Sequence, residues 1–441
     1  MMTGDPRPRR RLELSRDGWL LFLTYGVRMV AYGFLSVILG PYLASRGLSP
    51  VAVGWVFTGA LAGGAVMTVA LTAVADRMGR RRVLVAGAAL MAVSGAVFAL
   101  TERLGLLVVA AVLGAISPSG KDVGPFLAVE QAMLPQTTRD AQRTTVFAVY
   151  NLVGSLAGAL GALAVGLPAA LGLTPADGLR ALVWAYAASA LLLLGLFLLL
   201  SGRVESSTAA GDGCRPRMGL VRSRGRVARL AGLFALDSFA GGFVVQGMVA
   251  YWFYLRYGVE TTALGGIFFG TNLLAALSFL AAAPIARRIG LLNTMVFTHL
   301  PSNLLLLLVP LMPNLGLAVA VLLARHLLSQ LDVPTRQSYT MAIVHPDERA
   351  AAAGLLAVAR NAAAAVAPAV AGVTLATPAL GLPFLVAGGL KIVYDLWILA
   401  VFRDVRPPEE VSRVAPPAPP TPAGRRRPES PVDRRDERTT P

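Results

Sequence analysis

The sequence predicts an all-α integral membrane protein of about twelve transmembrane helices, arranged as two six-helix repeats. Three observations predict it. Apolar runs of about 20 residues recur along most of the chain, the length a helix needs to cross a bilayer core. Arginine-rich gaps alternate with gaps that carry one arginine or none. Matching residues in the two halves recur at a near-constant offset.

Composition sets the class. Hydrophobic residues make up 55% of the 441 and charged residues 15%, with a mean hydropathy of +0.64, which excludes an ordinary soluble domain. The 45 glycines would weaken soluble helices, whereas small residues let membrane helices approach closely. A net charge of +16 raises nucleic acid as a partner, but the arginines cluster in short polar gaps and in the two tails, so none is expected. The single Cys214 lies in a polar loop and allows no internal disulfide framework. Arg9, Arg10 and Arg11 precede the first apolar run, as in a secretory signal. That run continues from Trp19 to about Leu43 with no small-x-small cleavage site, so it reads as the first span.

The remaining elements follow from apolar runs and breakers. The spans fall at about 18–43, 50–75, 82–101, 105–134, 143–171, 179–201, 229–256, 262–286, 290–312, 315–344, 349–375 and 381–402. The chain thus divides into an N-terminal tail (1–17), a six-helix half (18–201), a linker (202–228), a second half (229–402) and a tail (403–441). The last tail is rich in Pro, Arg and Glu and is expected to be disordered. With twelve spans, the basic segments at 1–17, 76–82, 139–143, 203–229, 287–288 and 403–441 share one side. Both termini are therefore expected in the cytoplasm, with the chain in the cell (plasma) membrane.

The halves repeat. Asp76-Arg77-Met78-Gly79 falls on Arg287-Arg288-Ile289-Gly290, Ser119 and Asp122 on Ser329 and Asp332, Asn151 on Asn361, and Gly33 on Gly242. Duplicated six-helix halves place a binding site between them near the midplane.

The gap after the second span reads Ala75-Asp76-Arg77-Met78-Gly79-Arg80-Arg81-Arg82. It resembles the signature loop of the major facilitator superfamily, usually written G-x-L-A-D-R-x-G-R-R, and departs from it at Thr72 and Val74. The resemblance covers about 18–402 and implies a secondary transporter. Gly79 suits a tight turn, and Asp76 carries a charge suited to the positive end of a helix. In that family the acid is thought to brace the cytoplasmic gate against the start of the eleventh helix. Asp76, Arg77, Gly79 and Arg80 are therefore the expected gating loop. A plain positive-inside anchor is the alternative. Span five, Asn151-x-x-Gly154-x-x-x-Gly158-x-x-Gly161, resembles the family's antiporter motif, with Ala159 in place of its Pro. Small-x-x-x-small packing reads it equally well.

Ionisable groups in hydrocarbon cost about 2.5–3.5 kcal/mol each on insertion scales, so they face cavities. Span ten carries Arg325, Ser329, Asp332 and Arg336 at steps that place them on one helical face. Span four carries Ser119, Lys121, Asp122 and Glu130. Arg28 in span one and Asp237 in span seven occupy equivalent repeat positions and are expected to pair or to flank the substrate. The resemblance puts these four spans around a central cavity. The expected substrate and coupling residues are Arg28, Asp122, Asp237, Arg325, Asp332 and Arg336, with Lys121, Glu130, Asn151 and Asn361 as further candidates. Lys391 and Asp395 read as a self-neutralising i,i+4 pair, and His299 and His345 as structural residues near span ends.

The expected function is proton-coupled efflux of a small molecule, by a monomer embedded in the lipid bilayer. An uptake permease or uniporter is the alternative. A membrane-embedded enzyme is disfavoured: the sequence has no H-E-x-x-H, no nucleophile elbow and no Cys/His metal cluster, and it implies no cofactor or metal. The lack of a P-loop excludes a primary pump.

Overall fold

A computed structural model describes residues 13–405, except 123, 125, 140–141, 203–204, 206–219 and 221, and except the side chains of 72–74, 76, 144, 279–280, 283 and 350. The tail after 405 and most of the linker lie outside these residues. The first half contains α1 (Arg16–Ser45), α2 (Pro50–Met78), α3 (Arg80–Leu100), α4 (Leu104–Leu113), α5 (Phe126–Met133), α6 (Arg143–Leu163), the single turn α7 (Leu167–Ala170) and α8 (Pro175–Leu198). The second half contains α9 (Arg224–Phe243), α10 (Gln246–Tyr257), α11 (Thr261–Ile289), α12 (Leu291–Leu308), α13 (Leu315–Leu328), α14 (Asp332–Ile343), α15 (Arg349–Leu375) and α16 (Leu382–Phe402).

Local chemistry sets the boundaries. Ser15, Ser49, Thr174 and Asn314 accept hydrogen bonds from the first-turn N–H groups of α1, α2, α8 and α13. Pro50 and Pro175 open their helices, where no N–H is needed. The short turns between α2 and α3 and between α11 and α12 are equivalent: Gly79 (φ 95°) and Gly290 (φ 88°) both take a left-handed conformation that a side chain would strain.

Among the described residues, 11 segments are long and apolar enough to cross a membrane. The remaining expected span, the fourth (105–134), is not one continuous helix. It breaks between α4 and α5, where Ala115, Gly120 and Gly124 all have positive φ. Pro118 sits in the same stretch. The tenth span also breaks, between α13 and α14. Pro334 lies in the first turn of α14 and has no N–H to give the Gln330 carbonyl, so the helix restarts there. The seventh span breaks at Val244 and Val245. Such breaks are tolerated at membrane depth only where the freed backbone finds partners. One does so across the halves: the Gly247 N–H at the start of α10 donates to the Pro118 carbonyl at 2.8 Å.

The halves meet at the end of the bundle away from the chain termini. A Cβ on Gly54 would meet the Pro368 carbonyl at 2.5 Å, and one on Gly265 would meet the Ala162 carbonyl at 2.7 Å. These α2–α15 and α11–α6 contacts are repeat mates of each other. The Ala369 N–H donates to Thr58 Oγ1 at 2.9 Å, and Gly40 faces Tyr251. At the other end, one core cluster is built from second-half residues alone, from Val227 and Met295 through Tyr339 to Phe402.

Candidate functional site

Each half buries its own ion cluster at mid-helix depth. In the first half, Arg28 of α1 has no exposed surface. Its Nη2 lies 2.7 Å from Asp122 Oδ2, in the break of span four, and 2.6 Å from Glu130 Oε2 of α5. Glu130 also accepts from Tyr150 of α6 at 2.6 Å and from Thr24 at 3.0 Å. Tyr25 stacks on Tyr150 with centroids 4.1 Å apart, and the Arg28 guanidinium lies over the Phe126 ring. The aromatic walls exclude water, which strengthens the ion pairs inside. The break between α4 and α5 carries Asp122 to the same cation as Glu130.

The second half repeats the cluster with the charge inverted. Asp237 of α9 is bound by Lys391 of α16 at 2.5 Å and by Arg336 of α14 at 3.1 Å. Arg336 also reaches Asp332 at 3.2 Å, one turn away. Beside them, His299 Nδ1 lies 2.7 Å from Asp395, and Asn303 donates to Asp395 at 2.8 Å. His299 Nε2 stands 4.0 Å from Asp237, beyond hydrogen-bond reach, so the histidine is bonded to Asp395 and sits beside Asp237. An imidazole bonded to one carboxylate and close to a second is a group able to take up a proton.

Several expectations change here. Arg28 and Asp237 do not bind each other; each is neutralised within its own half. Lys391 and Asp395 share a helical face but turn to different partners, Asp237 and His299. His299 is buried within α12 rather than at a span end. His345 does lie outside the helices, beside Arg222. Asn151 and Asn361 are exposed, and their side chains join neither cluster.

Three cations stand apart from these clusters. Lys121, in the break of span four, is exposed even though it lies deep in the bundle. It is within electrostatic reach of Arg360 and Arg336 in the other half. The Arg325 Nε is buried with no hydrogen-bond partner among the described residues. Arg360 of α15 donates to Ser238 at 3.2 Å. Arg360 was not among the residues the sequence reading singled out, although it is a lone charge in a long apolar run.

At the terminal end of the bundle, Gly79 makes the expected turn. The Asp76 side chain lies outside the described residues, and Arg77 is exposed. Arg80 Nη1 donates to the Ala132 carbonyl at 3.2 Å. Glu205 accepts from the Arg80 and Arg81 N–H groups at 2.7 and 3.1 Å and so caps α3. Glu348 holds the backbone just ahead of α9, accepting from the Arg222 and Ser223 N–H groups at 2.7 and 2.8 Å. A carboxylate at a helix N-terminus is stabilised by the free N–H groups there.

Comparison with known proteins places this architecture. The model of the Major Facilitator Superfamily matches residues 21–329. An uncharacterized membrane protein of Saccharomyces cerevisiae is 29% identical over 425 residues, 89% of this chain and 95% of the relative. The nucleoside transporter NupG is similar in structure with a TM-score of 0.72 at 15% identity, covering 88% of this chain and 100% of that one. The xylose transporter XylE from E. coli gives a TM-score of 0.64 at 15% identity, covering 90% and 99%. At such identities the structural likeness speaks for the fold alone.

Proposed function

The chain belongs to the Major Facilitator Superfamily, and we propose that it is a proton-coupled secondary transporter of a small molecule, working by alternating access. The observation that carries this reading is the pair of buried ion clusters in two halves that pack together at the end away from the chain termini. The positive-inside rule puts the arginine-rich end, and both termini, in the cytoplasm of the cell membrane. On that orientation the outer end is sealed and the central cavity opens inward. Substrate enters between the breaks of spans four and ten. A proton taken up by the Asp237, His299 and Asp395 group weakens the hold of Lys391 and Arg336, and the halves rock.

Export is the direction we propose, on the likeness of α6 to the antiporter motif. Uptake is the second reading, favoured by packing: Gly154 lies against Tyr25, and Gly161 against the Val30 carbonyl, so close helix contact accounts for both glycines. Asp76 is assigned the gate role in the opposite, outward-facing state, and the monomer is the working unit.

The test is a substrate screen in proteoliposomes loaded with a pH-sensitive dye. Substrate added under an imposed pH gradient should drive a proton flux that Asp237→Asn abolishes. Antiport and symport move protons in opposite directions, so the same trace assigns direction. Substrate transport with no proton movement would overturn the coupling.

A further inference from the structure

We infer that the central cavity is an anion site, which assigns the transported substrate to the class carrying a carboxylate, phosphate or similar negative group. The inference rests on the transporter reading above and comes from counting which charges are already taken. Every acid of the two clusters has cationic or hydrogen-bonding partners. Asp122 and Glu130 hold Arg28. Asp237 holds Lys391 and Arg336, and Asp332 holds Arg336. Asp395 is bound by His299 and Asn303. Lys121, Arg325 and Arg360 have no ion pair among the described residues. The acids within electrostatic reach of Arg325 and Arg360 are Asp332 and Asp237, which are already engaged.

These three cations come from both halves. Lys121 sits in the break of span four, Arg325 on α13 ahead of the break in span ten, and Arg360 at mid-length in α15. Lys121 is within electrostatic reach of Arg360 across the interface, and His326 is within reach of both Lys121 and Arg325. The Arg325 Nε is buried and unpartnered. Like charges gathered at membrane depth repel and are costly to desolvate. With the five cluster acids set against the three cluster cations and Lys121, Arg325 and Arg360, six cations face five acids, and a ligand's negative group would balance the one positive charge left over. Because the cations come from opposite halves, a bound anion would also draw the halves together at the cavity.

The field can be read without knowing the substrate. The only native cysteine is Cys214, so Cys214→Ser with Ser119→Cys gives one thiol near Lys121, whose N–H lies 3.4 Å from Ser119 Oγ. Its modification rates with an anionic (sulfonatoethyl) and a cationic (trimethylammonioethyl) methanethiosulfonate are measured on the purified full chain, each relative to free cysteine. We expect the normalised rates to favour the anionic reagent by about tenfold, since clefts lined by one sign of charge concentrate the opposite ion. Adding Lys121→Gln and Arg360→Gln should bring the ratio close to one, and Lys121→Arg with native Arg360 should keep it. A ratio near one in the native charge background, or one favouring the cation, overturns the anion inference and leaves the transporter reading intact. No reaction with either reagent denies an aqueous cavity and overturns both.

Discussion

Gln246 donates a hydrogen bond from Nε2 to Ser36 Oγ at 2.8 Å, and Gln246 stands one residue past the position that the offset of Gly33 and Gly242 pairs with Ser36. A residue that touches the neighbour of its own repeat mate lies close to the pseudo-two-fold axis. The axis therefore passes through the sealed end of the bundle, beside the breaks of spans four and seven. In a Cys214→Ser background, Ser36→Cys with Gln246→Cys should form a disulfide on mild oxidation. The cross-linked protein should lose transport and recover it on reduction. Full transport with the bridge formed would mean that this seam does not open.

The two ion clusters are separate, so their energetics should be too. Arg28→Ala leaves two carboxylates in an aromatic-walled pocket and should destabilise the chain by about 3–5 kcal/mol, read as a drop in thermal midpoint. Asp237→Ala should cost a similar amount in the other half. The double variant should equal the sum of the singles to within about 0.5 kcal/mol, as for sites with no shared partner. Mutual rescue in the double variant would mean that Arg28 and Asp237 interact after all.

Glu205 caps α3, and Glu348 ties down the backbone just ahead of α9, both at the terminal end of the bundle. Glu205→Ala should lower stability by about 0.5–2 kcal/mol, the usual cost of a lost helix cap. Glu205→Gln, which still accepts hydrogen bonds, should recover part of it. Amide hydrogen exchange at Arg80–Val83 is the direct readout, and unchanged protection there in Glu205→Ala would contradict the cap.

The spans were legible because hydropathy over about 20 residues is a strong signal, and the arginine alternation checked the count. The breaks were less legible. Gly114, Pro118, Gly120 and Gly124 were visible in span four, but the surrounding apolar run read as continuous helix. Val244 and Val245 carry no breaker at all. The charged positions of the two clusters were found because a charge in an apolar run stands out, although Arg360, equally conspicuous, was passed over. Their partners were not, because helical spacing gives the face a residue shares and not the neighbour it meets. Lys391 and Asp395 show the limit: their i,i+4 spacing suggested a local pair, and tertiary packing sends them to Asp237 and His299.

The central claim is that the two halves rock about a cavity lined by these charges. Spin-label distances across both ends test it most directly. One pair, Arg77→Cys with Asn293→Cys, spans the terminal end of the bundle, and the other, Leu173→Cys with Thr377→Cys, spans the sealed end; all four positions are exposed. In lipid, across a pH titration, the account predicts two populations whose distances change in opposite senses: the terminal end shortens as the sealed end lengthens. A single, pH-independent distance at both ends would contradict it.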